Sequence, residues 1–135
     1  MFEPPSAEAI LAARKALAVA DPALATVEAV TPPFAWRVGL GGFPGLLKMI
    51  VQQQVSLASA AAIWARVEAG LPEMTPEIVA AHDEAYLRTL GLSQPKARYA
   101  RAIAEAHLSG ACDFDALRTL PDEEAIAALT AIKGV

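Results

Sequence analysis

Residues 44–64 read PGLLKMIVQQQVSLASAAAIW, and this stretch decides the fold prediction. Pro44 suits the first turn of a helix, and the apolar residues at positions 46, 47, 50 and 51 recur at helical spacing. Three glutamines at positions 52–54 interrupt this apolar face, and Ser56 is a favourable N-cap for a second helix. The stretch therefore predicts two helices that meet at a polar corner.

Polar caps, prolines and glycines divide the rest of the chain in the same way. Ser6 predicts the start of a helix that runs to about Ala20, and Asp21-Pro22 ends it before a short helical turn. Further helices are predicted over residues 57–69, over residues 95–108 and from Pro121 onward, with two short helices opened by residues 75–77 and 83–84. Only residues 34–38 favour an extended segment.

The composition favours a single all-α domain. The chain has 135 residues, of which 55% are hydrophobic and 6% aromatic, and alanine supplies much of the hydrophobic fraction. Alanine has the highest helix propensity, and few β-branched or aromatic alternations are present that would form strands. We therefore expect one helical domain over residues 1–135, with an N-terminal helix and linker in residues 1–40 and the main helical body in residues 41–135.

Cysteine usage and charge limit the class of protein further. A single cysteine, Cys112, and two histidines exclude an internal disulfide and an ordinary structural zinc site. The first residues lack the pattern of a signal peptide, and no apolar run approaches the ~20 residues of a membrane span. We expect a soluble cytoplasmic protein without membrane contact. The net charge of −4 argues against a non-specific DNA coat, but it allows a small DNA contact made by backbone amides.

Three motifs, in order along the chain, resemble one protein family. They are IVQQQVS at 50–56, LGLS at 90–93 followed by KARY at 96–99, and LTAIKGV at 129–135. The last motif resembles the first half of a helix-hairpin-helix element. Together the motifs are similar to the helix-hairpin-helix DNA glycosylase superfamily, in particular its 3-methyladenine DNA glycosylase II branch, over residues 41–135.

The resemblance implies a compact orthogonal helical domain that is incomplete at its C-terminus. Lys133 stands where the family usually has proline, and the sequence ends before the second glycine and the second helix of the hairpin. The family's catalytic aspartate is accordingly expected beyond Val135, so that the 135 residues alone are expected to be inactive. The resemblance is to the short form of this branch, in which we expect no room at the amino end for the small β-rich domain of the longer bacterial enzymes.

The resemblance also implies a function in base excision repair. Such an enzyme flips an alkylated base out of duplex DNA and hydrolyses its N-glycosidic bond. Gln54 corresponds to the wedge that enters the duplex, and Gln53 lies beside it. The DNA-binding residues implied are Gln53, Gln54, Ser56, Lys133 and Gly134. The backbone carbonyls of Thr130, Ile132 and Val135 are implied ligands of a monovalent cation in the intact protein, and no other cofactor is expected.

A second function class remains open, because the same residues suit a non-catalytic helical module that binds DNA or protein. In that interpretation the three glutamines solvate an exposed corner. The charged residues on the predicted helix over 95–108, which are Lys96, Arg98 and Arg101, are typical of a solvated face. His82, His107 and Cys112 are typical of structural or surface positions. Trp36 and Trp64 are typical of core positions. Of these, only Trp36 lies near enough to the glycine-rich turn to border a pocket.

The C-terminal helix predicts an apolar edge. Leu129, Ile132 and Val135 recur on one side of it, and an exposed apolar patch favours association. We therefore expect the 135-residue chain either to self-associate through its C-terminal helix or to crystallise with this edge against a neighbour. A homodimer through the helix over residues 121–132 is the simplest form of self-association.

Overall fold

The computed structural model describes residues 5–31 and 39–135, and within these ranges it contains helices, turns and no strand. The prediction of an all-α fold is therefore confirmed. The chain divides into two compact units, one within residues 1–39 and one over residues 40–135. That both units belong to one domain stays a prediction. The segment over 34–38 that was expected to be extended, including Trp36, lies outside the described residues.

The first unit is a helical hairpin. Helix α1 (Ala7–Ala20) begins as predicted, because Ser6 Oγ accepts a hydrogen bond from the Ala9 amide at 3.1 Å. Asp21 ends α1 and also caps α2 (Pro22–Val30), accepting from the Ala23 amide at 2.9 Å. The prediction of only a short helical turn here is wrong, because an aspartate N-cap followed by proline starts a stable helix of nine residues.

The second unit contains six α-helices and one 3₁₀ helix. They are α3 (Gly42–Gln52), α4 (Leu57–Gly70), α5 (Pro76–Ala81), α6 (Glu84–Thr89), α7 (Gln94–Leu108), the 3₁₀ helix (Ala116–Thr119) and α8 (Asp122–Thr130). Helix α3 starts two residues before the predicted Pro44, since Gly41 occupies the N-cap without a side-chain bond. The 3₁₀ helix was not predicted.

Polar N-caps fix most of these boundaries. Four helices begin after a Ser, Thr or Asp whose side chain accepts a hydrogen bond from an amide of the first turn; the caps are Ser56, Thr75, Asp83 and Ser93. These bonds satisfy amides that have no partner within the helix. The local chemistry that predicted the helices is therefore the chemistry that starts them.

Helix α7 forms the centre of this unit and packs against α3, α5 and α6. Its core face consists of Ala97, Ala100, Ile103 and Ala104, all of which are buried, and the alanines let the neighbouring helices approach closely. Helix α3 contributes Leu47, Ile50 and Val51 to the same core. Trp64 is 5% exposed, which confirms its predicted core position.

The predicted apolar edge at the C-terminus is wrong for Ile132. This residue is only 8% exposed and belongs to the core cluster of the second unit. Leu129 is half-buried against the same cluster, whereas Ile126 on α8 is 60% exposed. The exposed apolar side chains of this region are therefore Leu120, Ile126 and Val135.

Candidate nucleic-acid interface

The turn between α3 and α4, residues 53–55, is called the glutamine turn below. All its residues are exposed, and Gln54 has a φ of +55°. Among the described residues other than glycine, Gln54 alone has a positive φ. The left-handed conformation is unfavourable for a residue with a Cβ, and it persists only where the surrounding structure imposes it. The turn is therefore an exposed but conformationally defined projection.

A cavity of about 410 Å³ lies between the glutamine turn and the first two turns of α7. Residues from both elements line it: Gln53, Gln54, Val55, Ser93, Pro95, Lys96 and Tyr99. The motif around the glutamines and the KARY motif, which are 40 residues apart in the sequence, therefore meet in the fold.

Two of the basic residues on α7 make tertiary hydrogen bonds. Lys96 Nζ donates to the Val51 carbonyl at 2.7 Å, and Arg101 Nη1 donates to the His82 carbonyl at 2.6 Å. Both side chains are half-buried, whereas Arg98 is exposed. The interpretation of these residues as a solvated face is thus wrong for Lys96 and Arg101 and confirmed for Arg98.

Residues 129–135, called the hairpin segment below, reach the same region. Gly134 has a φ of +100°, and a Cβ at this position would overlap the ring of Tyr99. Glycine is therefore required here both by the backbone conformation and by the close approach to the ring. Tyr99, which sequence analysis did not single out, supports the hairpin segment and lines the cavity at the same time.

One hydrogen bond joins the glutamine turn to the hairpin segment. Gln53 Nε2 donates to the Gly134 carbonyl at 3.5 Å, which is a long bond. Four of the five predicted DNA-binding residues thus lie at or next to one site. This bond joins Gln53 to Gly134, Gln54 follows Gln53 in the glutamine turn, and Ser56 caps α4 directly after that turn. Lys133 is exposed in the hairpin segment.

The remaining chemistry-bearing residues have structural roles. The ring of His82 stacks on Tyr86 with centroids 4.1 Å apart, and His107 stacks on Phe114 at 5.4 Å. Cys112 is buried, and this burial together with the charge of Asp113 raises the pKa of its thiol. These contacts agree with the structural character that the sequence predicts for the three residues.

The described part of the chain shows neither a metal-ligand cluster nor a membrane-spanning helix. Residues 5–31 and 39–135 contain no cluster of His, Cys, Asp or Glu side chains that would hold a metal ion. No helix in those ranges has the length and apolar character needed to cross a membrane.

An all-α body with an exposed turn beside the start of a hairpin is typical of helix-hairpin-helix proteins. Residues 47–133 match the family model described as HhH-GPD superfamily base excision DNA repair protein. The chain belongs to this superfamily.

Solved structures that are similar to the chain include two 3-methyladenine glycosylases. A DNA-3-methyladenine glycosidase from Bacillus halodurans is 30% identical with a TM-score of 0.77, and the match covers 99% of this chain and 60% of that one. The 3-methyladenine DNA glycosylase Mag1 from Schizosaccharomyces pombe, in complex with abasic DNA, is 29% identical with a TM-score of 0.67 over 81% of this chain and 56% of that one. The 135 residues thus span less than two thirds of either structure. No curated protein matched.

Proposed function

We propose that the protein acts in base excision repair as a DNA glycosylase that hydrolyses the N-glycosidic bond of alkylated bases in duplex DNA. The observation that carries this proposal is the exposed glutamine turn, held next to the hairpin segment by the contact between Gln53 and Gly134. Both similar structures are 3-methyladenine glycosylases, and one of them was solved with abasic DNA, which is the kind of DNA that base removal leaves.

The glutamine turn is the proposed contact with the gap in the duplex. Flipping a base out of the stack costs a few kcal/mol, and a side chain that fills the vacated space offsets part of this cost. Gln54 is exposed at the tip of the turn, and its amide offers both donors and an acceptor to the orphaned base. Gln53 is the second proposed contact with the gap, and its side chain also contacts the hairpin segment.

The hairpin segment is the proposed phosphate contact. Backbone amides near Lys133 and Gly134 suit this role in a chain of net charge −4, because amides contact phosphate without a basic surface. The proposed ligands of a monovalent cation are the carbonyls of Thr130, Ile132 and Val135. The Ile132 carbonyl accepts from the Val135 amide at 3.2 Å, which leaves one lone pair for a cation. Such a cation would supply positive charge next to a phosphate.

Base release from methylated duplex DNA tests the activity. The complete product of the gene and the 135-residue chain are assayed side by side. We expect base release only from the complete product, because the resemblance predicts the catalytic aspartate beyond Val135. Equal release by the 135-residue chain would contradict that assignment, and no release by either would favour a non-catalytic DNA-binding or protein-interaction module.

The Gln54→Ala variant of the complete product tests the DNA contact. A wedge acts at the gap of an abasic site, so its loss should weaken binding to an abasic duplex more than binding to an undamaged duplex. Ala keeps the backbone restrictions of an L residue and removes the Cγ methylene together with the amide. Equal weakening on both duplexes would indicate a general contact instead of a wedge.

We also propose that the 135-residue chain forms a homodimer through α8. Ile126 is 60% exposed and Leu120 37% exposed, and monomers tolerate large apolar patches poorly. Light scattering over a concentration series should detect a dimer that Ile126→Glu abolishes. Because Ile132 is buried, Ile132→Glu would disrupt the core and is unsuitable as the test. A monomer at every concentration would refute the dimer.

A further inference from the structure

The side chain of Lys96 crosses from α7 to the end of α3. Its Nζ atom donates to the Val51 carbonyl at 2.7 Å, and the two residues are 45 positions apart in the sequence. Val51 is the penultimate residue of α3 and is fully buried. The bond therefore joins the first turn of α7 to the last turn of α3.

This bond acts where α3 needs a partner. The last four carbonyls of an α-helix have no donor within the helix, so they need partners from elsewhere. The helix dipole also favours a cation near them. Within α3 and the residue after it, the backbone tightens, since the Gln53 amide donates to the Ile50 carbonyl at 3.3 Å. The chain then passes directly into the left-handed conformation of Gln54. The carbonyl that accepts from Lys96 thus lies two residues before the glutamine turn.

The Lys96 ammonium contacts a protein carbonyl and is only partly exposed to solvent. It is half-buried in the wall of the cavity beneath the turn, and this burial lowers the pKa of its side chain. A lysine that serves a DNA phosphate is normally exposed, as Arg98 is on the same helix. Lys96 and Arg98 thus carry the same charge, two residues apart, in different surroundings.

We propose that Lys96 is a positioning residue, which holds the glutamine turn in the conformation that presents Gln54 to damaged DNA. The proposal rests on the proposed function of the turn. Gln53 and its bond to Gly134 hold the other side of the same turn. Lys96 itself need not touch DNA.

The first test needs no DNA. Hydrogen–deuterium exchange of the complete gene product is compared for the wild type, Lys96→Met and the control Arg98→Met. Met retains most of the aliphatic stem and removes the charge in both variants. We expect faster amide exchange across residues 51–56 in Lys96→Met only, and near-wild-type exchange in Lys96→Arg, which retains a cationic donor. Unchanged exchange in Lys96→Met would overturn the proposal.

The second test measures binding to abasic and undamaged duplexes over a range of salt concentrations. Loss of a hydrogen bond from a charged group predicts that Lys96→Met reduces the preference for the abasic duplex about tenfold, with the salt dependence equal to that of the wild type. Arg98→Met should retain the preference. A uniform loss on both duplexes, with the slope against salt reduced by about one, would identify Lys96 as a phosphate contact and refute its positioning role.

The two tests separate this proposal from the proposed function. If the wild type shows no preference for abasic DNA, the proposed function of the turn fails, and the exchange experiment still decides whether Lys96 orders residues 51–56. A global unfolding of Lys96→Met would appear as faster exchange in the core of α7 as well, and would refute a role confined to the turn.

Discussion

Replacing Gln54 by glycine should stabilise the protein, although it removes a proposed DNA contact. Gln54 has a φ of +55°, a conformation that costs an L residue about 1–2 kcal/mol and costs glycine almost nothing. Glycine also gains freedom in the unfolded chain, which lowers stability by about 0.5–1 kcal/mol. The middle values of the two ranges predict that the free energy of unfolding rises by about 0.75 kcal/mol, and their extremes allow up to about 1.5 kcal/mol, since the exposed side chain buries little surface.

Gln52→Gly is the matched control for this prediction. Gln52 is exposed like Gln54, but it is the last residue of α3 and has a helical backbone. Glycine at a helical position is about 1 kcal/mol less favourable than a good helix former. The same substitution, made two residues apart, should therefore change the free energy of unfolding in opposite directions. The direction separates the effect of the backbone conformation from the effect of losing a glutamine side chain.

Urea unfolding of the 135-residue chain measures both variants, with the slope against urea fitted separately for each. Gln54→Gly should raise the midpoint and Gln52→Gly should lower it. Destabilisation of Gln54→Gly by as much as the control would show that the turn is not left-handed in solution. In DNA binding, Gln54→Gly should lose the preference for an abasic duplex, so a gain in stability would accompany a loss of function at one residue.

Three further predictions concern stability. Leu47→Ala should destabilise the chain by about 2–5 kcal/mol in urea unfolding, and the adjacent, half-buried Leu46→Ala by clearly less; equal effects would contradict the assignment of Leu47 to the core. Ser56→Ala should lose about 1 kcal/mol through its N-cap bond to Ser59, and Ser56→Thr should retain most of it. Hydrogen bonds from its own backbone and from Thr75 lower the pKa of Glu77, so its stabilising effect should be complete above the unfolded value of 4.5 and should be lost as the pH falls through the lower folded value. Unfolding curves at several acidic pH values should show this loss for the wild type and not for Glu77→Gln.

The helices could be predicted because their starts are determined by neighbouring residues. A Ser, Thr or Asp that caps a helix bonds to an amide two or three positions later, so the sequence alone contains both partners. Where no side chain caps the helix, the prediction was less accurate. Helix α3 begins at Gly42 after an N-cap glycine, and the proline that suggested a later start lies in its first turn.

The functions of the long charged side chains could not be predicted in this way. Lys96 and Arg101 donate to carbonyls that lie 45 and 19 residues away, and no local pattern contains these partners. The same applies to Ile132, whose spacing with Leu129 predicted an exposed edge although the side chain packs into the core. Periodicity identifies which residues share a helix face, but it does not identify the surface that the face contacts.

The glutamine turn has one feature that local sequence predicts and one that it does not. The sequence predicts a polar corner at residues 52–54, since an apolar helix face ends there and an N-cap follows at Ser56. It does not predict the positive φ of Gln54, and the contacts on either side of that residue, from Lys96 to Val51 and from Gln53 to Gly134, join residues that are distant in the sequence. A solvated corner would need no such constraint. An exposed residue in an unfavourable conformation, whose neighbours in the sequence contact two distant motifs, is therefore a better indication of a binding site than the three glutamines are by themselves.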